Sequence, residues 1–264
     1  MSQPITVVDA FADHAFAGNP AAVCVLPAPA PEEWMRNVAR EMNLAETAFL
    51  HPMNDGFSLR WFTPTVEVDL CGHATVASAH VLWMDAYLTP GQEARFHTRS
   101  GLLTARRSGD MIELDFPTKL AEQTAPPPEL LPALGVSQAK WIGKNQFDYL
   151  VEVADESSVR RLTPDHGVLA RLPVRGVIVT SRADAGRPYD FVSRFFAPGS
   201  GIAEDPVTGS AHTALAPYWR KILRRDRMVG YQASPRGGTV HVECRGDRVL
   251  LGGRAVTVLR GTLV

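Results

Sequence analysis

The chain has 264 residues, 45% of them apolar and 21% charged, enough for a sizeable core in one long domain or two smaller ones. A formal net charge of −1, with no run of Lys and Arg interleaved with aromatics, excludes a field that would gather nucleic acid or an anionic membrane. Three scattered cysteines exclude a disulfide framework, and no apolar run approaches the roughly 20 residues of a membrane helix.

The N-terminus MSQPITVVDAF lacks the basic and apolar regions of a signal peptide, so a cytoplasmic protein is expected. Its ITVV (5–8) and the following AAVCVL (21–26) predict strands, being short, β-branched and bounded by turn residues. PEEWMRNVAREMN (31–43) spaces Trp34, Val38 and Met42 four apart, which predicts a helix with one apolar face. TAFL (47–50) and SLRWF (58–62) are strands again. GHATVASAHVLWMDAYL (72–88) is apolar on nearly every face, so this helix must be enclosed by the rest of the protein. After the strand MIELDF (111–116) comes PTKLAEQTAPPPELLPALG (117–135), whose prolines suit neither a central strand nor a helix interior and mark a connector. Strands DYLVEV (148–153), GVIVTS (176–181), TVHVEC (239–244) and AVTVL (255–259) follow, and Arg224–Arg225–Asp226–Arg227 reads as a solvated helix end.

The connector lies near the midpoint, and the halves echo one another. RWFTP (60–64) is answered by RFFAP (194–198), 134 residues later. Each is followed by a loop and a small-residue helix start, Gly72-His-Ala-Thr in one half and Gly209-Ser-Ala-His in the other. Ala74, Ala77 and Ala79 then match Ala211, Ala214 and Ala216 at an offset of 137. Strand, proline, loop and alanine-rich helix recurring in order predict a duplicated chain. The two glycine-opened helix N-termini are expected to face one another, each offering unpaired N–H groups and a positive dipole end to an anion. Such a pair suits a small carboxylate.

Together VDAF…FAGNPAAVC, NLAETAFL (43–50), RWFTPTVEVDLCGHAT (60–75) and FFAPGSGIAEDPVTGSAH (195–212) resemble the phenazine-biosynthesis PhzF-like family, within the diaminopimelate epimerase-like superfamily. The resemblance covers essentially the whole chain. It implies an α+β fold of two pseudo-symmetric lobes, each a barrel-like, mostly antiparallel sheet wrapped around a central buried helix. The lobes would be residues 1–116, joined by a returning C-terminal strand at about 255–264, and residues 117–254. It implies an isomerase that moves a proton on a small carboxylate, amino-substituted and cyclic in the best-known case, as a homodimer without metal or organic cofactor. It puts Glu46 in the acid/base role, His73 and Asp205 beside it, and Gly72, Gly209 and Ser210 as carboxylate-seat residues, all expected to converge on one cleft. A buried carboxyl titrates nearer neutrality, as a proton shuttle requires.

Each residue alone has a plainer reading. Glu46 is by itself a solvent-facing glutamate, His73 a structural histidine, and Asp205-Pro206 a turn or a helix N-cap. Cys71, His73 and His80 lie within ten residues, but the i, i+7 spacing of the histidines is wide for zinc and no further Cys–His pair completes four ligands. Thr208–His212 lacks the G-x-S-x-G elbow of a serine nucleophile, and no nucleotide-binding glycine motif occurs. Two rivals remain. A two-thiol racemase of the same superfamily would use Cys71, but its second thiol falls on Thr208, whose hydroxyl is too weak an acid. A non-catalytic binding protein would use the same seat without exchanging a proton.

Overall fold

The computed structural model describes residues 2–264. By contact the chain divides into two compact units, Met1–Asp115 with Gly252–Val264, and Phe116–Leu251.

The first unit runs β1 (Gln3–Ala10), β2 (Asn19–Val25), α1 (Glu32–Met42), β3 (Glu46–Met53), β4 (Gly56–Phe62), β5 (Glu67–Val68), α2 (Gly72–Met84), β6 (Ala94–Thr98), β7 (Gly101–Ser108) and β8 (Met111–Pro117). β1 is antiparallel to β2, β2 parallel to β3, β3 antiparallel to β4, and β4 antiparallel to β5 but parallel to β6, which turns back into β7. The parallel step from β2 to β3 needs a crossover, and α1 supplies it. Met35, Val38 and Ala39 of α1 seal against Ala22, Cys24 and Phe49. α1 ends where Asn43 adopts the left-handed conformation at φ 49°, a role asparagine fills at little steric cost. α2 is buried on all faces, Ala74, Val76, Ala77 and Ala79 being fully so. Its two internal hydroxyls are accommodated because Thr75 and Ser78 donate back to the carbonyls of Cys71 and Ala74, at 2.5 and 2.7 Å. The helix stops at Met84, short of the 88 that the pattern predicts, since exposed Asp85 caps it and Ala86 takes a left-handed φ of 59°.

The second unit runs β9 (Glu122–Gln123), α3 (Leu130–Leu134), β10 (Trp141–Lys144), β11 (Asp148–Glu152), α4 (Glu156–Arg160), α5 (His166–Leu169), β12 (Gly176–Arg182), β13 (Phe191–Ala197), β14 (Ile202–Asp205), α6 (Gly209–Leu223), β15 (Arg227–Gln232), β16 (Gly238–Arg245) and β17 (Arg248–Gly253). Its pairing repeats that of the first. β10 is antiparallel to β11, β11 parallel to β12, β12 antiparallel to β13, and β13 antiparallel to β14 but parallel to β15, which turns back into β16. Side chains repeat as well. Arg60 grips Glu67 through two bonds of 2.7 Å and lies 5.1 Å from the Phe62 ring centre. Arg194 grips Glu204 at 2.7 and 2.8 Å and lies 4.9 Å from Phe196.

The connector holds more structure than its prolines suggest. Pro132 stands inside α3, but in the first turn, where a backbone N–H would have no partner anyway. Pro217 sits deep in α6 and cannot bond the carbonyl of Thr213; the N–H of Lys119 takes that place at 3.1 Å. The last strand, β18 (Ala255–Leu263), pairs antiparallel with β1 from Gln3 to Ala10, and Val258 and Leu263 pack on the first unit's core.

Candidate active site

Three sequence-predicted residues of the first unit meet at the start of α2. Glu46 is the first residue of β3, where the parallel register sets it beside Ala21 of β2. His73 is the second residue of α2, and its Nε2 lies 3.1 Å from the Glu46 carboxylate. Both are buried, Glu46 at 8% and His73 at 5% exposure, which rules out the solvent-facing reading of the glutamate. Gly72 opens the helix directly behind an extended N-cap, Cys71, whose side chain does not cap it.

Asn19, which stands in the FAGNPAAVC motif without a role assigned to it there, joins this group. Its amide nitrogen lies 3.1 Å from Nδ1 of His73, across 54 residues of chain. The loop from β1 delivers it through a tight turn. Phe11 and Phe16 hold left-handed φ values of 58° and 70°, and a side chain at Gly18 would lie 2.2 Å from the carbonyl oxygen of Ala10. An amide N–H donated to Nδ1 places the proton of a neutral imidazole on Nε2, toward Glu46; a charged ring needs the amide oxygen there instead. Burial works against a charged His73, while its neighbours Cys71 and Glu46 favour it, and the balance raises its pKa well above 6.5.

Cys71 Sγ is 3.5 Å from His73 Nδ1. Burial and the Glu46 charge nevertheless push its thiol up to about 11, outweighing the pull of His73. The thiol is therefore protonated at neutral pH, despite its place at a helix N-terminus. Donor atoms of Glu46, Cys71 and His73 all lie within 4.8 Å of one another, a set of the types that bind zinc. It differs from the trio weighed in the sequence: His80 turns away to Thr257, at 3.0 Å, and Glu46 takes its place. Nδ1 of His73 faces Asn19 and Nε2 faces Glu46, so a metal would have to displace one of these contacts.

The second unit assembles Asp205, Thr208, Gly209 and Ser210. Asp205 ends β14 rather than capping the helix; the N-cap is Thr208, three residues on. Thr208 donates its hydroxyl to the Asp205 carboxylate at 2.5 Å, and its side chain makes no capping bond to α6. Gln232, fully buried on β15, locks this loop by accepting from the Thr208 N–H at 2.9 Å and donating to the Asp205 carbonyl at 2.7 Å. His212 donates from Nδ1 to the Thr208 carbonyl at 2.8 Å, just as Thr75 serves Cys71. Complete burial lowers its pKa to about 4. Ser210 carries an unforeseen neighbour, Arg175, whose Nη1 donates to its hydroxyl at 3.0 Å. Neither Gln232 nor Arg175 stands in a motif; only the strand pairing brings them here.

A buried carboxylate and a buried imidazole thus meet at a glycine-opened helix start, the two side-chain types that general acid/base chemistry most often uses. Residues 8–261 match the phenazine biosynthesis-like protein family. A protein of Halalkalibacterium halodurans, named an uncharacterized isomerase, is 52% identical over 265 residues, covering 100% of this chain and 99% of that one. The crystal structure of a phenazine biosynthesis protein of the PhzF family from Enterococcus faecalis superposes with a TM-score of 0.95, at 43% identity and 100% coverage of both chains. A hydroxyproline epimerase from Agrobacterium vitis, solved with bound trans-4-hydroxy-L-proline, shares the fold alone, with a TM-score of 0.67 at 13% identity, over 99% of this chain and 92% of that one. The chain belongs to the PhzF, phenazine biosynthesis-like family.

Proposed function

We propose that the protein is an isomerase that moves a proton on a small, amino-substituted carboxylate, cyclic or open-chain. Glu46 carries the proton, His73 holds and polarises it, and Asp205 serves the same reaction as a second carboxylate. The backbone N–H groups at Gly72, Gly209 and Ser210 seat the substrate carboxylate. The observation that carries this reading is the buried Glu46–His73 contact of 3.1 Å at the N-terminus of an enclosed helix. A carboxylate there is shielded from bulk water and within reach of a ligand seated on the helix start, as proton abstraction from carbon demands. The isomerase name borne by the Halalkalibacterium relative supports the reaction class.

The proposed reaction uses no metal or organic cofactor, and the protein works as a cytoplasmic homodimer, as the family resemblance implies. The thiol racemase is the weaker reading. Cys71 is held at about 11, and Thr208, at the corresponding helix start, is engaged with Asp205.

The test is a screen of small amino and hydroxy carboxylates in deuterated water, read by NMR for deuterium entering a C–H position. Exchange that persists after dialysis against a chelator supports the proposal. Tight binding of a carboxylate without exchange would make the protein a binder, and loss of exchange on chelation would bring a metal to Glu46, Cys71 and His73.

A further inference from the structure

We propose that Arg175 is a positioning residue that commits the Ser210 hydroxyl to donating its proton to a substrate carboxylate. The inference rests on the reading of Gly209–Ser210 as a carboxylate seat.

The guanidinium is fixed from several sides. Nε donates to one Asp148 oxygen at 2.9 Å, and Nη2 grips the other in the same fork. The rings of Phe147 and Phe195 each lie 5.4 Å from it. Arg175 also donates its backbone N–H to the Phe147 carbonyl at 2.7 Å, which anchors the chain at the foot of β12. Nη1 is thereby aimed at Ser210 Oγ, 3.0 Å away. A guanidinium has only donors, so the Ser210 oxygen must accept. A hydroxyl carries one proton, and with a cation on a lone pair that proton is directed elsewhere. Among the described residues no protein group accepts it. Ser210 is the second residue of α6, so its proton joins the backbone N–H groups at the start of a fifteen-residue helix.

The repeat within the chain supports this placement independently. Thr47 faces Phe62 in the first unit and Val177 faces Phe196 in the second, so Glu46 corresponds to Gly176, the first residue of β12. Arg175 precedes that position by one. His73 and Ser210 are likewise the second residues of α2 and α6. Where the first unit joins strand foot to helix start by a carboxylate and an imidazole, the second joins them by a cation and a hydroxyl. One pair is built to move a proton, the other to hold a negative charge.

The experiment is a double-mutant cycle on the full chain with sodium benzoate as probe, following the backbone amides of Gly209 and Ser210 by NMR. Arg175→Met keeps the apolar stem and removes the donors; Ser210→Ala removes the hydroxyl. Each is expected to weaken benzoate about tenfold, the scale of one charge-assisted hydrogen bond, and the double variant is expected to be no weaker than Ser210→Ala. Arg175→Lys, which keeps the charge without the fork, is expected to weaken benzoate with the thermal midpoint unchanged, so a folding failure of Arg175→Met leaves the question decidable. Unchanged affinity in both Arg175 variants, or additive losses in the cycle, would overturn the proposal. If the wild-type amides do not respond to benzoate at all, the seat itself is wrong and this role falls with it; if they respond and Arg175 is silent, only this role falls.

Discussion

At Cys71 the residue type suggests a reactive thiol and its surroundings suppress one. A helix N-terminus lowers a thiol pKa, but burial and the neighbouring Glu46 charge raise this one to about 11. Cys71→Ala is expected to fold and to retain most proton exchange, and iodoacetamide at pH 7 is expected to leave Cys71 of the native protein unmodified by mass spectrometry. Rapid alkylation would put a thiolate at the helix start. His212 makes a different prediction. Below pH 6.5 the unfolded chain takes up a proton here that the fold refuses until about pH 4, so stability present above pH 6.5 is lost as pH falls across that window. The loss amounts to about 3 kcal/mol. Urea denaturation of the wild type at pH 7 and 4.5, beside His212→Asn, checks it: the difference between the two pH values is expected to shrink in the variant, whatever its stability at pH 7.

At the scale of elements, the two helices illustrate what sequence patterns reveal and what they hide. α1 and α2 are legible because one spaces its apolar residues four apart and the other is apolar all round. β6, β7 and β15 are not, since ARFHT, GLLTARRS and RMVGYQ mix charge and glycine into strands that are partly exposed. Glu46, His73 and Asp205 stand in the short motifs that carry the family resemblance, and only that resemblance singles them out. Asn19 stands in the FAGNPAAVC motif, but its partner lies 54 residues away, and Arg175 and Gln232 reach theirs across 35 and 24 residues through strand pairings that no local pattern announces. The enclosure of α2 also predicts a cost. Ala77 has no exposed surface, so Ala77→Leu must displace packed neighbours and is expected to destabilise by about 1–3 kcal/mol in chemical denaturation. Met84→Leu, on the exposed last turn, is expected to change little.

For the molecule as a whole, the repeated order of pairings and the twin Arg–Glu–Phe clusters make duplication the simplest origin of the chain. RWFTP and RFFAP advertise it because each arginine must reach a glutamate across the next strand and lie over a phenylalanine. The C-terminal strand belongs to the first unit, where it covers β1 along eight positions. Deleting residues 255–264 is expected to expose that edge and to send the chain into aggregates, seen by light scattering, whereas removal of the exposed Val264 alone is expected to be tolerated. Soluble, exchange-competent protein lacking β18 would show that β1 needs no cover.

The central claim is that Glu46 carries the proton. The most direct measurement is solvent-deuterium incorporation into one identified carboxylate substrate by wild type and Glu46→Gln, with affinity measured alongside. Glutamine keeps the size and the oxygen facing His73 but cannot exchange a proton as a carboxyl does. The account predicts exchange slower by about a hundredfold or more with binding retained. Exchange at a near-normal rate in Glu46→Gln would contradict it and move the chemistry to another group.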